Sequence, residues 1–78
     1  MDAAERQFLA EAFEHAARQL DGGMERLLVE ESLRTALAAQ PSSGQWIGSL
    51  DTILQKADSP DSVKYANNLR KISKELKQ

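Results

Sequence analysis

We predict an all-α fold for this chain, a small compact bundle of four short helices that dimerisation can complete. Three clusters of turn-forming residues divide the sequence, namely Gly22-Gly23, Pro41-Ser42-Ser43-Gly44 and Asp58-Ser59-Pro60. Each of the four segments repeats apolar residues at helical spacing, and none alternates with the period of two that is typical of a strand. A chain of 78 residues has room for one domain, so we take residues 1–78 as a single helical unit.

The first helix is predicted over residues 3–21. Asp2 can cap its first turn, and Glu5 stands three residues later, as in a capping box. Either glycine of the Gly22-Gly23 pair can end the helix, because glycine adopts a positive φ without a steric penalty. The apolar residues of this helix form one stripe: Phe8, Leu9, Ala12, Phe13, Ala16, Ala17 and Leu20.

The second helix, predicted over residues 24–40, has a broader apolar surface. Met24 and Leu27 extend this surface at the N-terminal end, and Pro41 ends the helix because it disfavours a helical Gln40. A helix that is apolar over more than half of its circumference is either central in a bundle or shared with a partner. The main face comprises Leu28, Val29, Ser32, Leu33, Ala36 and Leu37.

The third helix is predicted over residues 44–57 and is the shortest of the four. We expect Trp46 to be buried, with Leu50 and Leu54 packing on the same core. The tripeptide Trp46-Ile47-Gly48 is also similar to the W-x-G tripeptide of small secreted helical hairpins. In that family the tripeptide closes the turn between two helices, whereas here it stands at the start of a predicted helix.

The fourth helix is predicted over residues 60–76. Ser59 precedes it, Pro60 occupies the first helical position and Asp61 lies in the first turn, which together are a strong start signal. We expect Tyr65 to lie beside the buried stripe of this helix. The stripe itself comprises Val63, Ala66, Leu69, Ile72 and Leu76.

The composition excludes several classes of protein. The chain has no cysteine, which excludes disulfides, thiolate zinc sites and cysteine nucleophiles, and its one histidine, His15, cannot form a multi-histidine metal site. The sequence contains no glycine-rich phosphate-binding motif and no apolar run long enough to span a membrane. Its acidic N-terminal residues lack the basic region of a signal peptide. We therefore expect a cytoplasmic protein that is not an enzyme and that carries no cofactor or metal.

Charge is distributed unevenly along the chain, although the net charge is only −2. Residues 1–34 carry eight acidic and four basic side chains, whereas residues 63–78 carry five basic side chains and one acidic one. Attraction between these two regions, with cations placed near a helix C-terminus, explains the pattern most simply. Two alternatives stay open. One is a basic surface for an acidic partner, and the other is nucleic-acid binding by the fourth helix, against which the negative net charge argues.

Two short motifs resemble the modified sites of known families. The run Gly48-Ser49-Leu50-Asp51-Thr52 resembles the attachment loop of acyl carrier proteins, whose serine accepts phosphopantetheine, although glycine replaces the aspartate that precedes this serine. His15, with Arg18 three residues later, resembles the modified histidine of phosphotransfer domains, although Gln19 stands where that family has a small residue. The resemblances imply an alternative function, a carrier or phosphotransfer module modified at Ser49 or His15.

The function class that fits best is a small protein–protein interaction module, such as a regulator, antagonist, immunity protein or secretion chaperone. Such a module binds another protein, a second copy of itself, or both. The candidate binding residues are Met24, Leu27, Val29, Leu33 and Leu37, with Arg26 or Arg34 at the edge. At 100° per residue, Met24 and Leu27 lie on the opposite side of the helix from the other three apolar residues. We expect one of these two groups to face the core and the other to face the partner.

Overall fold

A computed structural model describes residues 3–39, Thr52 and residues 55–77 of the chain. This part is 85% helical, with four helices and no strand, which confirms the predicted all-α class. The long helices are α1 (Ala3–Asp21), α2 (Arg26–Ala38) and α4 (Ser62–Lys77), and of the third helix, α3, the structure describes Thr52 and residues 55–57.

The described part of α3 packs on α4. Ala57 is buried in the core, and its carbonyl accepts a hydrogen bond of 2.8 Å from the side-chain amide of Asn68. This bond satisfies a carbonyl near the end of α3 and fixes the start of the connection to α4. The predicted burial of Trp46, with Leu50 and Leu54 on the same core, concerns residues outside the described part of the chain.

Helix α1 ends in a glycine turn. Gly23 has a φ of 89°, and its N–H donates to the carbonyl of Leu20 at 3.1 Å. The N–H of Met24 donates to the carbonyl of Gln19 at 3.0 Å. These two bonds form a Schellman motif, which satisfies carbonyls that a helix end leaves without a partner. Gly23 is therefore the glycine that this turn requires.

Helix α2 begins later and ends earlier than the predicted range of 24–40. It starts at Arg26, because the glycine turn holds the backbone of Met24, and Glu25 is extended with a φ of −61° and a ψ of 134°. It ends at Ala38. Met24 consequently belongs to the turn between α1 and α2, and the direction of its side chain does not follow from helical angles.

Helix α4 begins at Ser62 and ends at Lys77, so the prediction that Pro60 occupies its first position is wrong, and Pro60 lies before the helix. Asp61 caps this helix, because its Oδ1 accepts a hydrogen bond of 2.9 Å from the N–H of Val63. The carbonyl of Asp61 also accepts a bond of 3.0 Å from the N–H of Tyr65, which closes the first turn. The aspartate thus places its negative charge at the positive end of the helix dipole.

The buried face of α4 differs from the predicted stripe at its N-terminal end. The prediction that Val63 is buried is wrong, because Val63 is exposed, whereas Tyr65 is fully buried. The register of the helix explains the difference. At 100° per residue the buried Leu69 and Ser73 lie within about 80° of Tyr65, whereas Val63 lies roughly 160° away, on the other side of the helix.

Helix α1 is the centre of the packing, because α2 and α4 both pack against it. Ser73 on α4 contacts α1 directly, since its buried hydroxyl donates a hydrogen bond of 2.7 Å to the carbonyl of Ala10. This bond satisfies a polar group that would otherwise be costly to bury. The core cluster comprises Leu9, Phe13, Ala16, Ala17, Leu20, Val29, Leu33, Leu37, Ala57, Tyr65, Ala66 and Leu69.

Helices α1 and α4 run antiparallel and attract each other electrostatically. Nε of Arg6, near the start of α1, donates to the carbonyl of Leu76, near the end of α4, at 3.1 Å. Nζ of Lys77 lies 3.2 Å from Oε2 of Glu14, and this hydrogen bond is the main reason that the pKa of the Glu14 carboxyl is lowered. The attraction predicted between the acidic and basic regions of the chain therefore occurs between these two helices.

Candidate protein-binding surface

The five apolar candidates fall into a buried and an exposed group, and the helical angles predict this division for the four that lie on α2. Val29, Leu33 and Leu37 are buried in the core, so they cannot contribute to an exposed binding surface. Met24 and Leu27 are exposed. The groups separate because α2 packs on α1 through the face centred on Leu33, and Leu27 lies about 120° from Leu33 around the helix.

Four large apolar side chains are exposed in the described part of the chain. The exposed fraction is 69% for Leu27, 65% for Val63, 53% for Leu28 and 44% for Met24. The expectation that Leu28 shares the buried face of α2 is wrong, because it lies about 100° from its neighbour Val29 and turns away from α1. Together we name Met24, Leu27, Leu28 and Val63 the apolar surface.

The apolar surface lies at one end of the bundle. Because α1 and α4 are antiparallel, the end of α1 and the start of α4 lie together, and a short turn brings the start of α2 to the same place. The guanidinium of Arg26 joins these parts, since it donates to the carboxylate of Asp58 and to the carbonyl of Ser59, just before α4. Leu27 on α2 and Val63 on α4 are therefore held at the same end of the molecule.

Arg26, which the sequence places at the edge of a binding surface, is engaged within the chain. Its guanidinium carbon lies 4.2 Å from the centre of the Tyr65 ring, in a cation–π contact. Nε of Arg26 lies 3.9 Å from Glu30, and the Tyr65 hydroxyl donates to the same carboxylate at 3.1 Å. These contacts join α2 to α4, so Arg26 fixes the position of the apolar surface.

Tyr65 makes the stability of the protein depend on pH. Burial, followed by the charge of Glu30 and its hydrogen bond, raises the pKa of Tyr65 to about 12. In an unfolded chain a tyrosine ionises near pH 10, about two units lower, so the unfolded state loses its proton first as the pH rises. The stability that the neutral phenol contributes is therefore complete below pH ~10 and lost between about pH 10 and 12.

We expect Tyr65→Phe to remove this part of the pH dependence, which amounts to about 2–3 kcal/mol between roughly pH 10 and 12. Urea unfolding of both chains at several pH values in that range measures the effect. The two chains differ only at residue 65, so contributions from the other residues cancel in the comparison. Parallel losses of stability in the wild-type and Tyr65→Phe chains would contradict the raised pKa.

The remaining candidate residues from the sequence are Arg34, His15 and Ser49, and the structure describes the first two. Arg34 is exposed on α2, and its positive charge acts on the Tyr65 phenol in the direction of a lower pKa. Because Arg34 follows Leu27 by seven residues, it lies on the same side of the helix, and it stays a candidate for the edge of the binding surface. His15 is exposed on α1, and Ser49 lies outside the described residues.

The described residues define no metal centre, because they contain no group of three or more histidine, aspartate or glutamate side chains that could hold a metal ion. None of the helices in this part of the chain is both long and apolar enough to cross a membrane. No protein-family model, curated protein or solved structure matches the chain.

Proposed function

We propose that the protein is a small protein–protein interaction module that binds its partner through the apolar surface. The observation that supports this proposal is the exposure of Leu27 and Leu28, two adjacent leucines on α2, at the end of the bundle that also carries Met24 and Val63. Single exposed apolar residues are common on soluble proteins, whereas several large ones at one place are typical of an interaction site.

The size of the apolar surface suits the centre of an interface. Four side chains exposed to this extent present an apolar area on the order of 400 Å², which is the size of the largest apolar patch on a typical soluble monomer, and such patches are often functional. Each partner in an interface of standard size contributes about 800 Å². The apolar surface supplies about half of that area, and the polar side chains around it supply the rim.

The apolar surface is also held in place before any partner binds. Arg26 ties the start of α2 to Asp58, Ser59 and Tyr65, so Leu27 and Val63 keep their relative positions. A surface that is ordered in advance loses less conformational entropy when it binds. This arrangement favours a partner that docks on a preformed site.

The partner is another protein, a second copy of the chain, or both. A second copy is a suitable occupant, because the surroundings of the apolar surface carry both signs of charge. Glu25 and Glu31 are exposed on the α2 side, and Lys64 is exposed next to Val63 on the α4 side. A two-fold axis through the apolar surface could pair the acidic side of one copy with the basic side of the other.

Leu27→Asp tests the proposal. We expect this variant to stay folded, because Leu27 is exposed, and to lose association, because a carboxylate in an apolar contact would be desolvated without a partner. Ala4→Asp is the matched control, since it adds the same charge at an exposed position in the first turn of α1, at the opposite end of the bundle. Circular dichroism checks that both variants keep their helical structure.

Two measurements detect association. Sedimentation velocity at micromolar concentrations reports self-association, and co-purification with tagged chains from the native host reports binding to another protein. The proposal predicts that the wild-type chain and Ala4→Asp associate and that Leu27→Asp does not. A monomeric wild-type chain that retains no protein would contradict it, and so would equal association of all three chains.

A further inference from the structure

An open cleft of about 690 Å³ runs along the side of α4 that faces away from the core. Its described lining is polar and strongly basic. The basic side chains that line it are Lys64, Arg70, Lys71 and Lys74. None of the four residues of the apolar surface contributes to this lining, and the two features meet only at Lys64, which stands next to Val63.

The positive charge of the cleft is not neutralised within the described part of the chain. Lys64, Lys71 and Lys74 form no ion pair with a carboxylate there. Asp58, an acidic residue in the lining, is already paired with Arg26. Apart from Asp58, the described lining holds no carboxylate, so no ion pair there balances the charge of the three ammonium groups.

Arg70 forms a fixed edge of the cleft. Its guanidinium pairs with Asp21 on α1, and its Nη1 donates to Oδ1 of Asn67 at 2.7 Å. Both contacts restrict the side chain, so Arg70 helps to shape the cleft, while its charge is shared with Asp21. The lysines supply the charge that is left for a ligand.

The dipole of α4 explains the position of Lys74 but not that of Lys64. Lys74, in the last turn, lies where a cation interacts favourably with the helix dipole. Lys64 lies in the first turn, where the dipole disfavours a cation, and it forms no ion pair with a carboxylate of the described residues. A ligand of opposite charge would account for a lysine at that position.

We propose that this cleft binds an extended segment, rich in aspartate and glutamate, of a partner protein. Lys64 and Lys74 are ten positions apart, which corresponds to about 15 Å along the helix. An extended peptide covers that length with about five residues. Alternate side chains of such a peptide point to the same side, so two or three carboxylates can reach the lysines together.

An acidic peptide suits the cleft better than a nucleic acid does. The described lining contains no aromatic side chain on which a base could stack, and stacking carries much of the affinity for single strands. The chain as a whole has a net charge of −2, which disfavours a long polyanion. A short acidic segment meets only the local positive charge, so charge complementarity favours the peptide.

The experiment uses the complete chain and a fluorescent peptide of alternating glutamate and serine, with binding followed by anisotropy at low salt. We expect saturable binding that weakens as salt is added. The double variant Lys71→Gln/Lys74→Gln should bind about fivefold more weakly, as expected for two exposed ion pairs. The control Arg18→Gln/Lys56→Gln removes the same number of positive charges at exposed positions outside the described lining and should bind within about twofold of the wild-type chain.

Each result decides for or against the proposal. A loss confined to the cleft variant supports it, and unchanged peptide binding by Leu27→Asp shows that the cleft acts independently of the apolar surface. An absence of binding at low salt, or an equal loss in the control, overturns it. Tighter binding of an oligothymidine strand than of the peptide, lost in the same cleft variant, also overturns it and assigns the cleft to nucleic acid.

Discussion

Leu33→Asp is expected to unfold the protein at room temperature. Leu33 is only 3% exposed and belongs to the core cluster on the face of α2 that packs on α1. An aspartate there either buries an unpaired carboxylate or breaks the packing to reach water, and either costs several kcal/mol. Small domains have a total stability on the order of 5–15 kcal/mol. A domain of only 78 residues is expected near the lower end of this range, because it buries a smaller share of its surface.

The matched comparison for Leu33→Asp is the same substitution at Leu27, six residues earlier on the same helix. We expect Leu27→Asp to keep a cooperative thermal transition, followed by far-ultraviolet circular dichroism, and Leu33→Asp to show none. Two folded variants would mean that α2 does not pack through Leu33. Two unfolded variants would mean that Leu27 also supports the core, and the apolar surface would then lose its central residue.

Phe13→Ala is expected to cost about 3–5 kcal/mol of unfolding free energy. Phe13 is 3% exposed in the middle of α1, the helix on which α2 and α4 both pack, so its removal leaves a cavity between elements that cannot easily close around it. Urea denaturation measures the loss as a lower midpoint at an unchanged slope, provided that the variant still folds.

Phe8→Ala is the control for Phe13→Ala, because it deletes the same atoms one and a half turns earlier on the same helix. Phe8 is only partly buried and lies at the border of the core cluster. Its ring already contacts water in the folded state, so less transfer free energy is lost when the ring is removed. We expect a clearly smaller loss for Phe8→Ala, and equal losses would contradict the central position of Phe13.

The sequence predicts α1 well because the signals for this helix are local. Its apolar stripe, its acidic first turn and the glycine pair after it all lie within the helix or next to it. The structure places α1 at Ala3–Asp21, where those signals indicate. The choice between Gly22 and Gly23 depends on the Schellman bonds, which periodicity does not reveal.

Which residues are buried at the start of α4 is harder to predict, because the partners of Tyr65 are distant in sequence. A tyrosine is favourable in a core only when its hydroxyl finds a hydrogen-bond partner. That partner is Glu30, and the cation over the ring is Arg26, both on α2. An apolar count along α4 favours Val63 instead, because nothing in the local sequence indicates that α2 provides these groups.

The division of the α2 residues into two groups follows from helical angles, but the angles do not say which group is buried. That choice depends on how α2 meets α1, and the turn at Gly23 and Met24 sets it. The basic cleft, too, can be predicted only in part from the sequence. The excess of lysine in α4 is visible in the sequence, whereas the pairing of Asp58 with Arg26 is a tertiary contact that the sequence does not reveal.

The antiparallel contact between α1 and α4 has a consequence for how the molecule is made. The hydrogen bond from Arg6 to Leu76 joins residues 70 positions apart, and the bond from Ser73 to Ala10 joins residues 63 positions apart. A ribosome adds about 5–20 residues per second, so α1 is synthesised several seconds before α4. During that time the apolar stripe of α1 lacks its main partner. The core therefore closes only when α4 leaves the ribosome. Until then, the polar residues of the growing chain or chaperones must keep it from aggregating, because the folded core has not yet formed.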